Sequence, residues 1–224
     1  MRYLDFFDDC YYINLNHRVD RKELFEKRSN EVGIDAIRFP AVEPREEDCP
    51  LLPSALMETR RKYKVGCTLS HKGVVQLANE RELENVLIFE DDCIFIDGFK
   101  EKVKQCVDEL KNVEWDIIYF GGEVNNYCVN VSEHLVKVEN GGVYCTHAYA
   151  VNKRFYHAFI NMNEHHVDVI DIFLLNYSVN NRTYILSREL LAVQDAIHSD
   201  IQNITNNGAE MHMTNSWNKF VPAY

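Results

Sequence analysis

Val86-Leu87-Ile88-Phe89-Glu90-Asp91-Asp92-Cys93-Ile94-Phe95-Ile96 is the stretch from which the fold is read. It is apolar except for three adjacent acids, and it stands between the polar segment Asn79 to Asn85 and the turn-like Asp97-Gly98. A run of this kind predicts a strand buried on both faces. The acids fall where it would leave the sheet. Neighbouring carboxylates repel one another and are costly to desolvate, so something must offset them. A divalent cation does this best. In extended geometry Glu90 and Asp92 point to one side and Asp91 to the other, an x-D-D or D-x-D claw for a hard, oxygen-loving metal. Ligands of open α/β sheets collect at the carboxyl ends of strands. A solvated acidic turn is the competing reading, and the local pattern leaves both open.

Upstream, Cys10 to Leu15 is β-rich and leads through Asn16 to Val19 into a helix start at Asp20, with Glu23 spaced as in a capping box. Gly33 ends that helix and Ile37-Arg38-Phe39 is a second strand. This β-α-β opening favours a parallel sheet and puts Asn14 to Arg21 in a strand-to-helix loop. Pro40 to Pro53 reads as a surface loop and Ser54 to Lys64 as a helix. The cationic Arg60-Arg61-Lys62-Tyr63-Lys64 is expected to be a solvated helix face. Gly66 to His71 is expected to break that helix and start another, capped by Thr68, with Ser70 and His71 in a first turn that favours an anion.

Downstream, Asp97 is placed to cap a helix carrying Phe99, Val103, Cys106 and Leu110, and Trp115 to Phe120 is a buried strand. Val136 to Val138 and Gly142 to Val151 read as strands, Asn152 as a helix cap, and His165 to Leu175 as a helix with Asp168 and Asp171 on one face. For those two acids, ordinary helix N-terminal charge weighs about as much as chemistry. Tyr184 to Leu186 and Leu190 to Val193 are short strands. Beyond Asp200 the chain is Asn-rich and weakly periodic as far as Tyr224, which suggests a tail or arm packed on the surface and partly mobile.

The chain has 224 residues, 46% hydrophobic and 26% charged, which suits one soluble α/β domain. No segment has the apolar length of a membrane span. Acids interrupt the N-terminal apolar residues before a signal-peptide core can form, which predicts a cytoplasmic protein. Seven cysteines without C-x-x-C spacing argue against a disulfide framework and against a zinc site. A net charge of -11 disfavours nucleic acid and anionic membranes as main partners.

With these pieces in place the chain resembles glycosyltransferase family 25, whose members include lipooligosaccharide and collagen hydroxylysine galactosyltransferases. Four segments carry the likeness. They are Tyr12 to Leu15 with Arg18, Asp20 and Arg21; Gly66-Cys67-Thr68-Leu69-Ser70-His71; Val86 to Asp92; and the Gly142 to Val151 strand followed by Val167-Asp168 or Ile170-Asp171 and Gln194 to Ile201. The G-C-x-L-S-H and hydrophobic-E-D-D pair is the most specific of them.

The resemblance implies a GT-A-like α/β domain, with a Rossmann-like nucleotide half, a mixed sheet and a less regular acceptor half. The halves would be about residues 1–122 and 123–201, with 202–224 as the arm. It implies inverting transfer of galactose or glucose from a UDP-sugar, dependent on Mn2+ or Mg2+, to a hydroxyl of a glycan, lipid-linked sugar or protein, as in lipopolysaccharide biosynthesis. By the same resemblance Asp91 and Asp92 hold the metal, with His198 or Asp200 as a further ligand. Asn14, Arg18, Arg21, Ser70, His71, Glu90 and Asp91 contact the donor, and Asp171, ahead of Asp168, is the general base. The rival function is a GT-A-like module that binds a glycan or protein without turnover. A nucleotidyltransferase would need a Gly-rich phosphate loop after the first strand, and Leu15-Asn16-His17-Arg18 has no glycine.

Overall fold

A contiguous apolar run, Cys10 to Ile13, makes β1 (Asp9–Asn14) a strand with two buried faces. After α1 (Val19–Glu31), β2 (Ile37–Pro40) returns parallel to it. Tyr12 on β1 stacks on Phe25 of α1 at 4.5 Å between centroids, which seats the helix on the sheet. Gly33 ends α1 in the left-handed region, at φ +72, as expected. The helix start differs from expectation. The cap position is Arg18, with no side-chain cap bond, and Asp20 in the first turn instead accepts from the Arg18 guanidinium at 2.9 and 3.0 Å. The computed structural model describes residues 4–45, 47, 49, 61–139, 141–162, 169–178, 182–195, 198–199, 204–205 and 209–222.

The next helix, α2 (Arg61–Glu80), is continuous. Gly66 neither breaks it nor precedes a new start, and Thr68 lies within it. The glycine serves close approach: a Cβ at position 66 would sit 2.6 Å from the Val42 carbonyl oxygen. Residues 61–80 thereby pack hard against the loop after β2.

From α2 the chain enters β3 (Asn85–Glu90), buried from Asn85 to Phe89 and parallel to β1. The predicted single strand to Ile96 is split. Asp91-Asp92 forms a turn, and β4 (Cys93–Phe95) leaves the main sheet. Next comes α3 (Phe99–Leu110), whose cap position is Gly98 at φ 74 with no side-chain cap bond, so Asp97 does not cap it. The rest of the chain adds β5 (Ile117–Tyr119), β6 (Glu123–Val124), β7 (Cys128–Asn130), β8 (Val136–Val138), β9 (Val143–Tyr144), β10 (Ala148–Asn152), α4 (Lys153–Ile160), α5 (Ile170–Ser178), β11 (Thr183–Ile185), β12 (Ala192–Gln194), β13 (His198–Ser199), β14 (Ile204–Thr205) and α6 (Ala209–Phe220). The expected Gly142 to Val151 strand is β9 and β10, interrupted at Cys145, whose φ is +75. Asn152 does cap α4, accepting from the Arg154 N–H at 3.1 Å.

The main sheet has eight strands in the order β2-β1-β3-β10-β5-β11-β8-β7. Its β2-β1-β3 side is parallel, and β10 runs antiparallel to both neighbours, β3 and β5. The α/β expectation, a Rossmann-like half within a mixed sheet, is met. Successive residues feed opposite cores. Tyr11, Ile13, Val86, Ile88 and Tyr149 join Val74 and Val75 of α2, Phe155 of α4 and Leu174 of α5. Tyr12, Leu87, Phe89 and Ala150 join Phe25 of α1 and Val103 of α3. Elsewhere β12 pairs with β4, so the chain beyond the acidic turn is tied to the segment at Gln194.

Over 209–220 the C-terminal stretch is a helix packed into the fold. Met213, Trp217 and Val221, four residues apart, form one buried stripe, and Trp217 joins the core of α2 and α4. The Trp217 indole N–H donates to the Arg188 carbonyl at 2.7 Å, and Ser216 Oγ accepts from the Val124 N–H at 3.1 Å. Trp217→Phe removes that donor and part of the buried surface, so it is expected to lower stability by about 1–3 kcal/mol, read from urea unfolding.

Candidate functional site

The carboxyl ends of β1 and β3 and the start of β10 lie at one end of the sheet, as their pairing requires. A cavity of about 820 Å³ opens there, lined by Glu90, Asp91, Asp92 and Asp171 together with Arg21, Ser70 and His71. The three acids of the turn have different surroundings.

Asp91 points to α1. Its Oδ2 accepts from Asn14 Nδ2 at 2.7 Å and its Oδ1 from the Arg21 guanidinium at 2.9 Å. Burial still outweighs Arg21 and Asn14 and raises the Asp91 pKa above its ordinary value. Glu90 is held on the opposite side. Its Oε1 accepts from the Thr146 hydroxyl at 2.5 Å and faces His71 Nε2 at 3.4 Å. Burial pushes its pKa up, but His71 and Thr146 prevail, so Glu90 sits below the usual carboxylate value.

Asp92 is the least compensated. Its Oδ1 is buried with no hydrogen-bond partner, while its backbone carbonyl accepts from the Asp195 N–H at 2.8 Å. Burial, then the charges of Glu90 and Asp91, hold its pKa well above the usual range, against only partial relief from Arg21. Asp171, in the first turn of α5, accepts from the Ile172 N–H at 2.9 Å, and burial followed by the Glu90 charge raises its pKa.

The predicted site residues are thus partly brought together. Asn14 stands behind Asp91 as a buried strut, donating also to the Arg18 carbonyl and accepting from Arg38 Nε at 2.9 Å. Arg18 is paired with Asp20 and does not line the cavity. Ser70 and His71 lie in the middle of α2, where backbone N–H groups are taken up by helix bonds, so the expected first-turn anion site is absent there. Ser70 Oγ instead donates to the Gly66 carbonyl at 2.6 Å and accepts from the Val42 N–H at 2.8 Å. His198 begins β13. Asp168 and Asp200 lie outside the described residues.

Other cavity residues had weaker signals in the sequence. Lys62, Tyr63 and Lys64 line it half-buried and are not a solvated face; Arg60 lies outside the described residues. Arg45, Thr146 and Gln194 join them. Thr146 was visible as a polar residue inside an expected strand.

A hard cation fits this donor set at Asp92, whose buried oxygen has no partner. Among the described residues, however, the cavity acids do not converge as a preformed cage. The one trio of ligand atoms within 4.8 Å of one another is Glu109, Glu133 and His134, elsewhere in the fold. Glu109 there is occupied with a turn, accepting from the Ser132 hydroxyl, the His134 and Leu135 N–H groups and His134 Nδ1. A cation at Asp92 therefore needs oxygens from its ligand, the usual arrangement where one or two carboxylates and substrate phosphates share a metal.

Residues 7–189 match the family model for glycosyltransferase family 25, described as an LPS biosynthesis protein. A Drosophila melanogaster glycosyltransferase 25 family member is 30% identical over 131 residues, covering 51% of this chain and 21% of that protein. Procollagen galactosyltransferase 2 of Homo sapiens is 30% identical over 129 residues, again 51% of this chain and 21% of the relative. A Bos taurus relative named probable inactive glycosyltransferase 25 family member 3 is 31% identical over 134 residues, or 51% and 22%. The chain matches across only 21–22% of the length of these curated relatives. Among solved structures, UDP-glucose pyrophosphorylase complexed with UDP-glucose aligns with a TM-score of 0.42 and 7% identity, covering 79% of this chain and 72% of the other. No described helix is long and apolar enough to cross a membrane.

Proposed function

Because the chain belongs to glycosyltransferase family 25 by a match that spans residues 7–189, we propose that it moves a hexose, galactose or glucose, from a UDP-sugar to a hydroxyl. The acceptor would be a glycan, a lipid-linked sugar or a protein, and the transfer inverting. The observation that carries this reading is the buried, unpartnered Asp92 oxygen at a cavity on the carboxyl ends of parallel strands. A binding module without turnover has no use for so costly a group.

Asp92 would hold Mn2+ or Mg2+, with Asp91 as the second carboxylate. Each Asp91 oxygen accepts one protein hydrogen bond and keeps a lone pair. A divalent cation supplies Lewis-acid neutralisation of the departing diphosphate. Arg45 and Lys62 bring positive charge to the same cavity and would favour the anionic donor. Asp171 would take the acceptor hydroxyl's proton, since burial makes it more basic than an ordinary carboxylate. Such a base is worth about 10²- to 10⁴-fold. Incubation with a panel of UDP-sugars and Mn2+ is expected to release UDP with at least one donor, and a chelator to stop it. No release from any donor, together with no thermal shift by UDP plus Mn2+, would refute the reading.

The cation should also show in the pH dependence of stability. The raised Asp92 pKa means that its neutral form stabilises the ligand-free chain fully below the ordinary value of 3.8, and that this contribution is lost as pH rises through the raised folded value. A cation replaces the proton, so stabilisation by UDP plus Mn2+ should grow as pH rises through that window. Melting curves across the acid-to-neutral range measure it, and a shift independent of pH would contradict the assignment.

A further inference from the structure

Glu90 is fixed by three elements at once. It ends β3, its backbone N–H donates to the His147 carbonyl at 3.0 Å, and its Oε1 is met by Thr146 ahead of β10 and by His71 from α2. His71 is in turn fixed from below. Its Nδ1 lies 2.9 Å from the hydroxyl of Tyr149, a residue that pairs with Ile88 across the β3–β10 ladder. His71 is 1% exposed and Tyr149 0%. Both ring nitrogens of His71 face protein partners, so neither is left for a ligand. The two contacts to Glu90 fall on Oε1, and among the described residues Oε2 has no partner while Glu90 lines the cavity.

We infer that His71 and Tyr149 are positioning residues that aim the Glu90 carboxylate, with Oε2 presented to the cavity as a fixed acceptor for a substrate hydroxyl or a cation-bound water. This rests on the transferase reading for its catalytic consequence but not for its geometry. On a neutral His71 ring, a proton on Nε2 facing Glu90 Oε1 makes Nδ1 the acceptor for the Tyr149 O–H. His71 thus acts through Glu90 and does not touch the donor itself. Outer partners of this kind orient the groups that do the chemistry, and their loss typically costs about 10- to 100-fold in activity.

Tyr149→Phe keeps the ring and its volume and removes only the hydroxyl. It is expected to lower kcat per folded molecule about 10- to 100-fold while the donor KM stays near wild type. His71→Gln, whose amide N–H can still reach Glu90, should retain more turnover than His71→Ala. Wild-type kcat in Tyr149→Phe would overturn the inference. A second measurement is independent of activity: long-range proton–nitrogen NMR of the wild-type chain should find the neutral His71 ring protonated on Nε2, with the Nδ1 signal moving in Tyr149→Phe. A neutral ring protonated on Nδ1 would also overturn it. A wild type that turns over no donor refutes the transferase reading instead, and the NMR result then decides the positioning claim alone.

Discussion

Asp92→Ala is expected to cut UDP-sugar-dependent transfer by about 10³-fold or more and, at the same time, to make the ligand-free chain more stable. The two effects share one cause. In the ligand-free fold Asp92 is 7% exposed, its Oδ1 has no hydrogen-bond partner, and Glu90 and Asp91 add like charge beside it. Removing an uncompensated buried polar group typically recovers about 1–3 kcal/mol, and for a chain of this size each kcal/mol moves Tm by roughly 2–4 °C. Strain of this sort persists where function requires it. Melting curves with and without Mn2+ and UDP, beside a UDP-release assay, check both halves. Full activity in the variant would remove Asp92 from the cation site. Lost stability would make it a structural residue.

Val86 to Phe89 needed only its own apolar character to be read as a buried strand, and the acids after it were conspicuous for the same reason. The β1–α1–β2 unit was equally local. What failed depended on distant partners. Gly66 reads as a helix break, yet its role is set by the Val42 carbonyl oxygen, which no pattern within the helix reveals. That one residue displaced Ser70 and His71 from the middle of a helix to its first turn. Cys145 adopts φ +75 although nothing in a cysteine announces a left-handed residue, so the sequence reads β9 and β10 as one strand. In and just after α6, Met213, Trp217 and Val221 stand four apart, but Asn-rich neighbours obscure the stripe. The partners of Asp91 come from 70 and 77 residues away, and only the parallel pairing of β1 with β3 brings them to it.

That long-range pairing sets the second large effect. Arg21→Met is expected to destabilise the chain by about 3–5 kcal/mol at neutral pH, because it leaves the Asp91 charge buried without its cation. The side chains of Arg21 and Asp91 are 9% and 8% exposed, so neither is screened as a surface pair would be. Asn14 alone would then hold Asp91, through its single 2.7 Å bond. The cost has a ceiling. Burial already raises the Asp91 pKa with Arg21 present, and without Arg21 it rises further, so the carboxyl can escape by taking up a proton. A raised folded pKa favours the fold below the ordinary carboxyl value and loses that contribution as pH rises through the folded value. The Arg21→Met penalty should therefore shrink as pH falls and be greatest above that window. Arg21→Met with Asp91→Asn removes the stranded charge and should recover most of the loss, giving a coupling energy well above that of an exposed pair. Urea unfolding of the four chains at two pH values reads all of this. A single Arg21→Met cost below about 1 kcal/mol at neutral pH would show that the pair is no more than a surface contact.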